Sequence, residues 1–199
     1  MLHSSRETLL SFLGTFDTLS ADDVRVIADQ ILVRSFHKGD VLVQEGDLVT
    51  QCYFVLKGCL RQFRLLDGVE KTTEFYTEEQ AAVFFTSQNS QTRSDSYLTC
   101  VEDTVVIVGE MGDEAEMYQQ FPVLAEITRQ MVERDFGRTQ DRLANFMVST
   151  PESRYLHLLQ TRPNLLQRVP QHQLASYLGV TPESLSRIRK RITKVAQRV

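Results

Sequence analysis

Residues 173–190 read QLASYLGVTPESLSRIRK. Ala175 is small enough for two helices to cross closely, and Gly179 stands at a turn, where a left-handed backbone costs glycine least. Thr181 is a good N-cap and Pro182 suits the first helical position, so a second helix starts sharply. Leu174, Leu178, Val180, Leu185 and Ile188 are spaced to lock both helices into one small core. That leaves Pro182, Glu183, Ser186, Arg187 and Lys190 on the outer face, with Ser184 near its edge. A generic helical hairpin shares the glycine turn and the apolar spacing. It has no reason to pair a defined N-cap with a polar, basic outer face. The pattern is that of a helix-turn-helix.

The outer-face residue types suit a major groove. Arginine donates two bonds to guanine, glutamate accepts from cytosine, and serine serves phosphate or base. The expected DNA-binding set is Gln171, Thr181, Pro182, Glu183, Ser184, Ser186, Arg187, Lys190, Arg191 and Lys194, on a recognition helix over 181–191. Arg189, Arg191 and Lys194 add a phosphate attraction that is independent of sequence. Charge is distributed accordingly. Residues 1–150 hold 13 Lys/Arg against 24 Asp/Glu, a net of −11. Residues 151–199 hold 9 Lys/Arg against Glu152 and Glu183 alone, a net of +7. An acidic body carries a basic, anion-seeking module.

The body reads as two short helices followed by strands. Residues 5–19 place Leu9, Leu10, Phe12, Leu13 and Phe16 at helical spacing, and Ser20 with Asp22 and Asp23 opens a helix through Gln30. Then LVRSF, DVLVQ, CYFVLKGCLRQFRLL, KTTEFYT, SYLTCVE and TVVIVGE follow as short β-rich runs separated by turn signals such as EGD, KG and DGVE. Such spacing predicts a β-sandwich or small barrel, making the chain α+β. Phe121–Met147 predicts one long helix. Its first half, with Leu124, Ile127 and Met131, is expected to form a seam with another helix. Its second half, with Phe136, Leu143, Phe146 and Met147, is expected to pack on the basic module.

Several classes are disfavoured. No apolar run approaches the roughly 18 residues that span a bilayer, and the N-terminus lacks the features of a signal peptide, so a cytoplasmic protein without membrane contact is expected. Cys52, Cys59 and Cys100 form no CxxC pair and fit a reducing compartment. His3, His37, His157 and His172 are scattered, which argues against a cupin-type metal enzyme. No metal site and no catalytic constellation are expected.

A β-rich N-terminal domain, a long helix and a C-terminal helix-turn-helix together resemble the cyclic-AMP receptor protein/FNR (Crp/Fnr) family of bacterial transcription regulators. VLVQEGD followed by CYFVLKGCLRQF is similar to the family's β-roll opening, and VPQHQLASYLGVTPESLSRIRKRI resembles its DNA-binding segment without a gap. The resemblance implies a cyclic-nucleotide-binding-like β-roll (jelly roll) with N-terminal helices over 1–115, a dimerisation helix over 116–148 and a helix-turn-helix domain over 149–199. It implies a homodimer joined along the long helix, through Leu124, Ile127 and Met131, on a palindromic double-stranded operator. RNA polymerase and a small-molecule effector are further implied partners.

The effector pocket departs from the family pattern. Cyclic-nucleotide binders carry a Gly-Glu pair for the ribose, then an Arg-Ser/Thr pair for the phosphate. Arg93-Ser94 stands at the second place, but Val83-Phe84 occupies the first. Valine blocks close backbone approach and phenylalanine cannot accept the ribose hydroxyls, so those hydroxyls would be left unpaired. The expectation is no cofactor, no cyclic-AMP binding, and an effector that is unknown or absent. The alternative is a cyclic-AMP-type sensor using Arg93 and Ser94. The iron–sulfur branch needs an N-terminal cysteine cluster, and no cysteine precedes Cys52. The haem branch needs a suitably placed histidine. A β-hairpin wing past the recognition helix is not expected before Val199, and the basic RIRKRITK run (187–194) is expected to compensate.

Overall fold

The computed structural model describes residues 2–84, 93–110 and 114–196. Helix α1 spans Leu2–Leu13, shorter than the 5–19 expected, because Gly14 and Thr15 turn the chain. The Thr15 hydroxyl donates to the Phe12 carbonyl at 2.7 Å, and Phe16 folds back edge-on to Phe12 with ring centroids 5.2 Å apart. Helix α2, Ala21–Gln30, starts at the predicted cap. The Ser20 hydroxyl accepts from the Asp23 amide at 3.1 Å, and the Asp23 carboxylate accepts from the Ser20 amide at 3.2 Å, which closes a capping box.

The strands are β1 Val33–Phe36, β2 Val41–Val43, β3 Gln51–Lys57, β4 Leu60–Leu66, β5 Val69–Tyr76, β6 Ala81–Ala82, β7 Tyr97–Cys100 and β8 Thr104–Glu110. They form two four-stranded sheets, ordered β1-β8-β3-β6 and β2-β7-β4-β5. Alternation fixes the register: Tyr53 lies opposite Val108 and Val55 opposite Val106, and all four are buried. Val43, Val55, Leu60, Leu98 and Val106 fill the space between the sheets, giving the expected jelly roll. Gly58 joins β3 to β4 with φ +106, and a Cβ there would lie 2.5 Å from Thr104 Oγ1, so no other residue fits. Asp67 and Gly68 both have positive φ and make the tight turn of the β4–β5 hairpin.

Helices α3 (Glu114–Gln120), α4 (Pro122–Val148), α5 (Pro151–Thr161), α6 (Leu165–Arg168), α7 (Gln171–Tyr177) and α8 (Pro182–Ala196) complete the chain. Two compact units emerge, one of residues 1–62 and 75–136, the other of 63–74 and 137–199. The division cuts α4 and groups residues 63–74, most of the β4–β5 hairpin, with the helical unit.

In the first half of α4, two of the residues expected at the seam take part in a cluster within the chain. Leu124 is buried with Leu9, Leu13, Ile27 and Ala28 of α1 and α2, and Ile127 packs against the same cluster. The buried Leu124 contributes about 1.5–3 kcal/mol, and the partly buried Ile127 less. Met131 is half-buried. Phe146 and Val148 are exposed further along α4, as are Val132, Phe136, Leu143 and Met147, with 55%, 64%, 60% and 78% exposure for these last four. Their spacing by four, seven and four residues keeps them on one helix face.

Candidate nucleic-acid interface

In the helical unit, Leu174, Ala175, Leu178, Leu185 and Ile188 are buried as the spacing required, joined by Tyr155, Leu158, Leu165 and Val169. The turn between α7 and α8 follows its sequence. Gly179 has φ +69, and the Val180 amide donates to the Ala175 carbonyl at 2.9 Å. The Thr181 hydroxyl accepts from the Ser184 amide at 3.2 Å, which caps α8. Gln171, at the start of α7, donates to the Pro182 carbonyl at 3.4 Å and thereby ties the two helix starts together.

Thr181, Pro182, Glu183, Arg187, Arg189 and Lys190 are exposed on α8, while Ser184 and Ser186 are half-buried at the edge of that face. Glu183 turns back to its helix end. Its own backbone N–H first, then the Thr181 hydroxyl, hold its carboxyl below the usual range, and the Arg187 charge adds to this. Arg187 Nη2 reaches Ser184 Oγ at 3.4 Å, a long contact that leaves the guanidinium available to a ligand. Arg191, of the expected set, has a partner within the unit. It pairs with Glu152 of α5 at 2.7 Å, so its charge is partly neutralised within the unit. The Lys194 side chain lies outside the described residues.

One arginine that the sequence did not single out organises this unit. Arg154 of α5 donates through Nε to the Leu178 carbonyl at 3.0 Å and through Nη1 to the Ser149 carbonyl at 2.9 Å. It thereby joins the end of α4 to the turn before α8. Its only sequence signal was a positive charge on a helix otherwise lined with leucines.

In the β-roll unit, Arg93 Nη1 donates to the Gly46 carbonyl at 2.7 Å, and Ser94 Oγ donates to the Ser96 carbonyl at 2.8 Å. Backbone bonds between Gly46 and Ser94 and between Ser94 and Asp47, both 2.8 Å, lock the same turn. Arg93 and Ser94 thus hold the EGD turn together. Phe84 is 6% exposed and packs into the core with Val43, Tyr53, Leu60 and Leu98. Val83 beside it is half-buried. A polar chain that the sequence reading missed runs from Tyr76 through Gln62 to Ser96, with bonds of 2.8 and 3.0 Å. Those side chains come from three separated strand regions, so no local pattern announced them. Among the described residues no group of three His, Cys, Asp or Glu side chains is placed to hold a metal ion. No helix among them is long and apolar enough to cross a membrane.

Residues 33–120 match the family model for the cyclic nucleotide-binding domain. No curated protein matches the chain in sequence. Solved structures match it in fold over most of its length. A CooA mutant from Carboxydothermus hydrogenoformans aligns with a TM-score of 0.70 at 14% identity, covering 94% of this chain and 84% of that one. FixK2 from Bradyrhizobium japonicum aligns with a TM-score of 0.66 at 18% identity, covering 83% and 86%. CLP, the c-di-GMP responsive global regulator of Xanthomonas campestris, aligns with a TM-score of 0.64 at 14% identity, covering 89% and 93%.

Proposed function

With a cyclic nucleotide-binding domain over 33–120 and the fold of Crp/Fnr-type regulators along the chain, we propose that this protein is a sequence-specific DNA-binding transcription regulator. The supporting observation is the exposed face of α8, where Glu183, Arg187 and Lys190 stand on a helix whose start is fixed by Gly179, Thr181 and Pro182. Set in the major groove, Arg187 reads a guanine edge while Lys190 and Lys194 meet phosphates. The chain acts as a homodimer on a palindromic operator. The exposed face of α4 through Phe136, Leu143 and Met147 supplies the apolar seam.

The β-roll does not take cyclic AMP in this proposal, because Phe84 fills core space where the ribose partner would stand, and Arg93 already bonds Gly46. The domain match itself favours a second reading, a cyclic-nucleotide sensor that uses DNA binding as its output. One experiment separates the two. Sequences bound by the full chain are selected from a random DNA pool, with and without cyclic nucleotides. A palindromic consensus that is unaffected by nucleotide supports the first reading. A consensus that appears only with nucleotide supports the second.

A further inference from the structure

Strand β5 lies at the end of the order β2-β7-β4-β5 and so forms an edge of its sheet. In the helical unit that edge is met by a serine. The Thr72 amide donates to Ser176 Oγ at 2.9 Å, and Ser176 Oγ donates to the Glu70 carbonyl at 3.0 Å. Ser176 belongs to α7, the first helix of the helix-turn-helix. Two residues further along the strand, the Glu74 carboxylate is only 12% exposed and holds two arginines. Arg142 of α4 grips it with both terminal nitrogens, Nη1 to Oε1 at 2.9 Å, and Arg162 at the end of α5 reaches Oε1 at 3.3 Å. Tyr177, next to Ser176, lies in the same charge cluster. Burial raises its phenol most and the Glu74 charge adds to this, while Arg142 and Arg162 oppose. One strand thus ties together α4, α5 and α7.

We propose that the β4–β5 hairpin is a positioning part of the DNA reader, with Glu74 and Ser176 as its anchors. The inference rests on the DNA-binding function proposed above. The hairpin touches α7 through Ser176, whereas the groove-facing set lies on α8, so it orients the reader without competing for DNA. A dimer gains affinity from two readers only if both are held at the half-site spacing. The tie therefore acts as preorganisation.

The test uses the full chain carrying Glu74→Gln, Ser176→Ala, or both. Glu74→Gln keeps the side-chain shape but removes the charge that the two arginines share. Ser176→Ala is a mild change that cuts only the strand-edge tie, so it remains informative if the charge variant folds poorly. Hydrogen exchange, which needs no DNA, should show faster exchange at the Thr72 amide and through α7. On a two-half-site operator the double variant should bind roughly tenfold more weakly, and it should tolerate an inserted base pair better than the wild type does. A single half-site should be bound within about twofold of wild type, with an unchanged salt slope, because no phosphate contact is removed. Unchanged exchange in α7, or equal losses on one and two half-sites, overturns the proposal. Wild-type chain that selects no DNA sinks the functional reading and this one together. Wild-type chain that selects DNA, with variants that bind alike at every spacing, sinks this one alone.

Discussion

The Arg154 guanidinium lies 4.4 Å from the centroid of the Phe146 ring, stacking a cation of α5 on the last turns of α4. The same guanidinium donates to the carbonyls of Leu178 and Ser149. Gly179 completes the contact, since a Cβ there would sit 3.3 Å from the Phe146 ring.

Arg154→Ala is expected to destabilise the helical unit by about 2–4 kcal/mol, through the lost cation–π contact and the two carbonyls left without a charged donor. Arg154→Lys keeps the charge but not the planar fork, and should recover less than half of that loss. Thermal unfolding of the two variants checks the ranking. Equal stability of Lys and wild type would show that charge alone matters at this position.

Two halves of α4 predict two different phenotypes. Leu124→Ala removes a side chain buried among Leu9, Leu13 and Ile27, and should cost about 2–5 kcal/mol of stability without changing the solution mass. Phe136→Glu places a charge on the exposed face and should convert a dimer to monomer while leaving the unfolding transition nearly in place. Light scattering at micromolar concentration, combined with denaturant unfolding, distinguishes them. A monomeric Leu124→Ala that unfolds like wild type would return the seam to the first half of the helix.

What could be read from the sequence was what short-range chemistry determines. The Ser20 capping box, the Asp67-Gly68 turn and the Gly179-Thr181-Pro182 passage each lie within a few residues, where backbone sterics and cap bonding leave few alternatives. The fate of Leu124 was not legible. Steps of three and four residues describe any buried helix face, whether its cover comes from the same chain or from another. The ion pair of Arg191 was not legible for a related reason: its partner Glu152 lies far away in sequence, and a basic run looks the same whether its charges are paired or free. The Glu74, Arg142 and Arg162 cluster joins three elements through side chains with no periodic signature, so only the folded chain brings it into view.

Cyclic AMP should show no useful affinity in calorimetric titration. Phe84 occupies the β-roll core, and Phe84→Ala is expected to cost about 3–5 kcal/mol of stability by opening a cavity. That cavity would still lack an acceptor for the ribose hydroxyls, so the variant should bind the nucleotide no better. Micromolar binding by wild type that Arg93→Ala abolishes would show that Arg93 leaves Gly46 to hold a phosphate.

The most direct test of the central claim is DNA affinity of Arg187→Ala across a salt series, measured on the selected operator and on scrambled DNA. Arg187 stands exposed on α8, with a 3.4 Å contact to Ser184 Oγ. A base-reading arginine should lose roughly 1–3 kcal/mol per half-site on the operator, relax the preference at one base pair, and leave binding to scrambled DNA nearly unchanged. Lys194→Ala serves as the control. As a phosphate contact it should weaken both DNAs alike and reduce the salt slope by about one unit. Equal losses for Arg187→Ala on operator and scrambled DNA would contradict the assignment of α8 as the base-reading helix through Arg187.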